Sequence, residues 1–182
     1  MPHPARQVDT ILRVRNLSKS FGEIKAVNDL SLDVQQKDIY GFLGPNGSGK
    51  STTIRMMLSL LKPDAGTIEI FGTSFQQNRK KILTNVGAFI EKPDFYEYLT
   101  AYKNLDILCS YSGIRPERSS LMEILELVGL TERADSKVST FSKGMKQRLG
   151  IAQALLHDPD LLILDEPASG LDPSGTDERA ES

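Results

Sequence analysis

The chain has 182 residues, 39% of them hydrophobic and 25% charged, with a formal net charge of −2. That suits one domain with a sizeable core, and the near-neutral balance gives no general attraction to nucleic acid or to an anionic membrane surface. A single cysteine, Cys109, excludes an internal disulfide, and no apolar run reaches bilayer-spanning length.

The stretch before Thr10 reads as a loose end without the apolar core of a signal peptide, so a cytoplasmic protein is expected. Ile11 to Arg15 and Leu30 to Val34 alternate as half-buried strands do, and Leu17 to Gly22 between them reads as a turn. Two amphipathic strands joined this way imply an antiparallel edge beside a parallel core. Phe21 in that turn serves either packing or the stacking of a planar base. Ile39 to Leu43 reads as a short buried strand and Thr52 to Leu61 as a helix.

Lys62 to Gly66 has the composition of a turn, Thr67 to Gly72 alternates as a strand, and Gln76 to Thr84 reads as a polar helix. Arg79, Lys80 and Lys81 form a solvated face of it. Val86 to Ile90 is a compact apolar run, hence a buried strand. It ends at Glu91, which stands either near a ligand or in solvent. Thr100 to Val138 looks helical throughout. Ala101, Leu105, Leu108 and Tyr111 mark one face of a helix that Pro116 closes; Ser120 and Glu123 suggest a capping box for a second helix, and Gly129 its stop. Tyr96, Tyr98 and Leu99, at the entrance to these helices, form either an exposed lip for a partner or packing. Ser142 caps a further helix with Met145, Leu149, Ala152 and Leu156 on one face.

Two stretches carry chemistry. Gly44-Pro45-Asn46-Gly47-Ser48-Gly49-Lys50-Ser51 fits the phosphate-loop pattern G-x-x-x-x-G-K-[ST] at every fixed position. Glycines bring backbone N–H groups close to phosphate oxygens, and the following helix adds its positive N-terminal end. Lys50 brings charge to the terminal phosphates, and the Ser51 hydroxyl suits Mg²⁺. Leu161 to Leu164 then reads as a strand buried on both faces, ending in Asp165 and Glu166. Alternation sends the two carboxylates in different directions, Asp165 to the Mg²⁺ shell and Glu166 to the γ-phosphate side.

Taken together, the chain from about Leu12 to Pro173 resembles the ATP-binding subunit of an ABC transporter. Gly44 to Ser51, with Thr52 beyond it, is similar to the Walker A loop, and Leu161 to Glu166 to Walker B. Phe141 to Met145 sits at the signature sequence, and Ser169 to Asp172 at the D-loop. The resemblance implies an α/β P-loop NTPase (RecA-like) core with an antiparallel β edge and an inserted α-helical subdomain, and a chain lacking the C-terminal strands. It implies a single ATP-binding domain over residues 10–182, a helical subdomain over about 92–140, and a disordered stretch 1–9. The ligands it implies are ATP and Mg²⁺. Phe21 would stack on adenine, Glu91 would touch Mg²⁺ at the Q-loop position, and Ser142 and Gly144 would meet the γ-phosphate. Glu166 would be the general base, with Lys50 also catalytic. The partners it implies are a second copy and a separate membrane permease, with no nucleic acid. The subunit would sit on the inner face of the membrane through that permease.

Three departures stand out. The signature reads Phe-Ser-Lys-Gly-Met instead of Leu-Ser-Gly-Gly-Gln. Glu91 replaces a glutamine, as in exporters of antimicrobial peptides such as bacitracin-type and lantibiotic-immunity systems. The family's switch histidine has no counterpart, because both histidines, His3 and His157, precede the D-loop. Two further readings follow: a truncated, catalytically impaired nucleotide-binding fragment or regulatory module, and a soluble ABC-type ATPase acting on nucleic acid or ribosomes. The single cassette, short helical insert and absence of basic excess disfavour the latter.

Overall fold

The computed structural model describes residues 9–90 and 94–167. The chain divides into two compact units, meeting in sequence between Val86 and Gly87.

The first unit is built on a four-stranded antiparallel sheet of order β2-β1-β3-β4, from β1 (Thr10–Phe21), β2 (Ile24–Gln35), β3 (Ala65–Ile70) and β4 (Thr73–Ser74). The antiparallel edge read from the alternation is therefore present. Leu12, Val14, Ile68 and Ile70 are buried, while Arg13 and Arg15 on the other face reach Asp33 and Glu69 of the neighbouring strands. These exposed pairs set register more than they stabilise. Leu17 to Phe21 is not a turn: β1 runs on to Phe21, and the reversal is confined to Gly22 and Glu23. Register shifts on either side of Leu17 absorb the polar residues that looked like a turn. Helix α1 (Lys50–Met57) contacts β2, and α2 (Phe75–Leu83), kinked at Asn78, contacts β3 and β4. Arg79, Lys80 and Lys81 are exposed on α2, as a solvated face should be.

The run Ile39 to Leu43 is not the buried strand its composition suggests. It pairs with no strand among the described residues, and Ile39 and Leu43 are 103% and 91% exposed. Apolar composition supplies the side chains of a buried strand, but the backbone N–H and C=O groups need neighbouring strands to complete it. Helix α1 is also shorter than the span Thr52 to Leu61. It stops at the Leu58 C-cap, and Ser59 turns left-handed at φ 55°.

In the second unit, β5 (Val86–Phe89) pairs with β6 (Leu161–Leu164), and α3 (Ala101–Tyr111), α4 (Arg118–Leu127) and α5 (Lys143–Leu155) share a core. Ala101, Leu105 and Cys109 of α3 meet Leu121 and Leu125 of α4 and Leu149 and Ala152 of α5 in that core. The buried face of α3 thus continues to Cys109, and Tyr111 is exposed. The stretch Thr100 to Val138 holds the two helices read there: the first ends at Tyr111, ahead of Pro116, and the second at Leu127, followed by short 3-10 turns at Thr131–Arg133 and Val138–Thr140.

The α4 N-cap is Glu117, not Ser120, so the proposed capping box lies inside the helix. Gly129 does stop α4, at φ 65°: its N–H donates to Glu126 and that of Leu130 to Leu125. This is the Schellman pattern, with Leu125 and Leu130 both buried. Gly87 of β5 lies under α5, where an added Cβ would stand 2.2 Å from the Ala154 carbonyl. Strand β6 is half-buried instead of buried on both faces, with Leu162 37% exposed, because it pairs only with β5 among the described residues.

Candidate functional site

The phosphate loop is held by its own short-range contacts. Lys50 folds back so that its ammonium donates to the carbonyls of Gly44 and Pro45, at 2.8 and 2.9 Å. The Ser48 N–H donates to the Pro45 carbonyl at 3.2 Å, which closes the turn through Asn46 and Gly47. Gly49 caps α1 in the left-handed region at φ 89°, and an added Cβ there would stand 2.2 Å from the Ala26 carbonyl. Only glycine meets both demands. Thr53 seals the next turn: its N–H and its hydroxyl both reach the Gly49 carbonyl. Ser51 and Thr52 follow Lys50 in the first turn of α1, both half-buried.

This geometry fits a nucleotide's phosphates. A glycine-lined cradle opens onto the N-terminus of α1, and the one ammonium in it is held by loop carbonyls in place of a carboxylate partner. The Ser51 hydroxyl, in the first turn of α1, is the kind of oxygen ligand that Mg²⁺ takes beside substrate phosphates.

Phe21 ends β1 at the hairpin and is 50% exposed, with the Lys19 ammonium 5.7 Å from its ring centroid. Lys19 also pairs with Asp64 at 2.7 Å. Hydrogen bonds from Lys19 and from the Ser20 N–H hold the Asp64 carboxyl below the usual carboxylate range.

In the second unit, Ser142 is the N-cap of α5 and its hydroxyl accepts from the Met145 N–H at 3.2 Å. Gly144 lies in the first turn, so both signature residues stand at the positive end of that helix. Lys146 pairs with Glu97. Asp165 is buried at 9% exposure and Glu166 is exposed. Both follow the end of β6 at Leu164, and Glu166 turns left-handed at φ 46°, so their difference comes from the turn and not from strand alternation. The Asp165 N–H donates to the Phe89 carbonyl at 2.7 Å, tying the end of β6 to β5.

Two residues of the second unit were given no role of their own by the sequence, although Gln147 lies in the run that continues the signature. Gln147 of α5 is buried, and its amide nitrogen donates to the Glu166 and Pro167 carbonyls at 3.1 and 2.6 Å. Asn104 of α3, 2% exposed, accepts from the Tyr96 N–H and donates to the Tyr96 and Thr100 carbonyls. It therefore fixes the segment carrying Tyr96 and Tyr98, whose exposed rings meet edge to face at 6.0 Å. Leu99 beside them is half-buried. Glu91 and the stretch Ser169 to Asp172 lie outside the described residues.

Comparison with known proteins gives these features a context. Residues 27–169 match the ABC transporter family. The chain is 53% identical over 171 residues to the bacitracin transport ATP-binding protein BcrA of Bacillus licheniformis, covering 94% of this chain and 56% of that one. It is 37% identical to the lantibiotic transport ATP-binding protein SrtF of Streptococcus pyogenes, covering 94% of this chain and 72% of SrtF. Among solved structures, cbiO1 of Clostridium perfringens, part of the ABC transporter complex cbiONQ, superposes with a TM-score of 0.78 at 26% identity, covering 91% of this chain and 69% of that one. The ADP conformation of MJ1267, an ATP-binding cassette of an ABC transporter, gives 0.76 at 28%, covering 90% and 71%. The chain spans about half the length of several of the curated relatives it matches, 56% for BcrA and 54% for a Bacillus subtilis relative, YhcH. The α/β fold is thus that of the P-loop ABC ATPases, as the motifs implied.

Proposed function

This chain belongs to the ABC transporter family, and from that premise we propose that it is an ATP-binding and ATP-hydrolysing subunit of an exporter of antimicrobial peptides or drugs. The observation that carries the reading is the Gly44–Ser51 loop at the head of α1, with the Lys50 ammonium drawn in by two loop carbonyls. The bacitracin and lantibiotic transport names of its relatives support the cargo class.

In this reading residues 10–182 serve as one ATP-binding domain. Gly44 to Thr52 bind the phosphates and Phe21 stacks on adenine. Ser51, Asp165 and Glu91 would hold Mg²⁺, which when bound draws charge from the β- and γ-phosphates. Glu166 accepts a proton from the water that attacks the γ-phosphorus, and the bond to the β-bridging oxygen breaks to leave ADP. Lys50 offsets the charge that builds on the phosphoryl oxygens. A second copy, facing the first head to tail, lays Ser142 and Gly144 at the N-terminus of its α5 over the γ-phosphate. Closure and opening of that pair would drive a separate membrane permease from its cytoplasmic side, with the Glu91 loop and the Tyr96–Tyr98 edge as the contact.

The deciding test pairs binding of a fluorescent ATP analogue with phosphate release, for the wild-type chain and for Glu166→Gln. The expected outcome is Mg²⁺-dependent binding in both and turnover reduced by about 10² to 10⁴ in the variant, the usual worth of a positioned general base. Equal turnover in the two would remove Glu166 from that role. The exposed run Ile39 to Leu43 favours a second reading, a nucleotide-binding module without turnover of its own. In the same assay that module would bind ATP and release no phosphate.

A further inference from the structure

Glu166 is one of seven non-glycine residues with positive φ among the described residues, at φ 46°. Such a conformation persists only where its surroundings over-determine it. Two anchors meet at this turn. The Asp165 N–H is tied to the Phe89 carbonyl, and the Gln147 amide nitrogen donates to the carbonyls of Glu166 and of Pro167 after it. The amide has one workable orientation. Its oxygen is buried and finds no donor among the described residues, so reversing the group would set an oxygen against two carbonyl oxygens.

Helix α5 is itself immobilised. Leu149 and Ala152 sit fully buried in the core, and the adjacent Arg148 donates to the Val128 and Gly129 carbonyls at the end of α4. Gly144, Gln147 and Arg148 recur at helical spacing, so one rigid helix carries the signature at its head and grips the carboxylate turn one turn later.

We infer that Gln147 is the positioning residue for Glu166: its two donated hydrogen bonds hold the Asp165–Pro167 turn and so aim the Glu166 carboxylate, making that aim follow any displacement of α5. The inference rests on the reading of Glu166 as general base given above. Gln147 touches no substrate in this scheme; it acts through the backbone of the turn.

The experiment is amide hydrogen exchange by NMR on the full chain, comparing wild type with Gln147→Met, which keeps the length and loses both donors. The Asp165 amide is expected to exchange about tenfold faster in Gln147→Met, the scale of lost hydrogen bonds at a locally opening site, while amides from Leu149 to Ala154 keep wild-type protection. Unchanged protection at Asp165, or an equal loss along all of α5, overturns the inference. Should Gln147→Met not fold, Gln147→Leu, which is smaller and also lacks both donors, takes its place. Faster exchange at Asp165 in that variant with α5 intact supports the clamp, and wild-type protection there overturns it. The kinetic counterpart is a fall in kcat of about tenfold with nucleotide affinity unchanged. A wild-type chain that binds ATP and never turns it over refutes the reading of Glu166, and the exchange comparison still decides whether Gln147 holds the turn.

Discussion

The phosphate loop of the first unit and the carboxylate turn of the second each pivot on a residue in the left-handed region, Gly49 at φ 89° and Glu166 at φ 46°. They are secured in different ways. The loop is closed by partners within six residues of one another, Lys50 to Gly44 and Pro45, and Ser48 to Pro45. The turn is closed from a distance, by Gln147 some 19 residues earlier and by Phe89 on the neighbouring strand. A glycine takes such a conformation without steric cost, whereas a glutamate needs tertiary restraint. Phosphate binding is therefore expected to survive perturbations of the helical core that disable the turn.

That contrast can be broken at several points. Lys50→Ala removes the ammonium held by the loop carbonyls, and nucleotide affinity should fall by about 10- to 100-fold, the range for a charge-assisted contact to phosphate, in a fluorescence titration. The thermal transition should change little. Leu149→Ala opens a cavity where α5 is fully buried. It should cost about 2–5 kcal/mol in urea denaturation, with the loss seen in probes of the second unit. If nucleotide binding collapsed in step, the loop would not be self-contained. Gly49→Ala sets a methyl group against the Ala26 carbonyl and strains φ. About 1–3 kcal/mol of stability should go, this time from the first unit, with weaker ATP binding as the local readout. Ser142→Ala deletes the α5 cap and should cost about 1 kcal/mol by the same denaturation. A cost near zero would mean that α5 is seated by its core contacts alone.

The difference between the two regions also explains what could be read from the residues. Local chemistry was legible. The loop spacing, the Ser142 cap and the Gly129 stop each depend on neighbours a few positions away. What depended on distant partners was not. Ile39 to Leu43 has the side chains of a buried strand, but no described strand completes it. Gln147, in the run that continues the signature, and Asn104 draw no individual role from the sequence, because nothing in the order of amino acids shows that Glu166 and Tyr96 present carbonyls to them. Glu117 stands at the α4 N-cap in place of Ser120 because the helix begins at Arg118, two residues after Pro116.

Cys109 sits on α3 at 1% exposure among Leu105, Leu121 and Leu125, and burial, with the Asp106 carboxylate adding to it, pushes its thiol up. The thiolate, which is the reactive form, is thus scarce as well as shielded at neutral pH. As this sequence has no other cysteine, it is expected to react with maleimide and iodoacetamide reagents about as slowly as a cysteine-free background. A single cysteine introduced at Tyr98 or Ser48 would take a spin label or fluorophore at one place, and the motions of the helical lip and of the phosphate loop could be followed separately without first removing a native thiol.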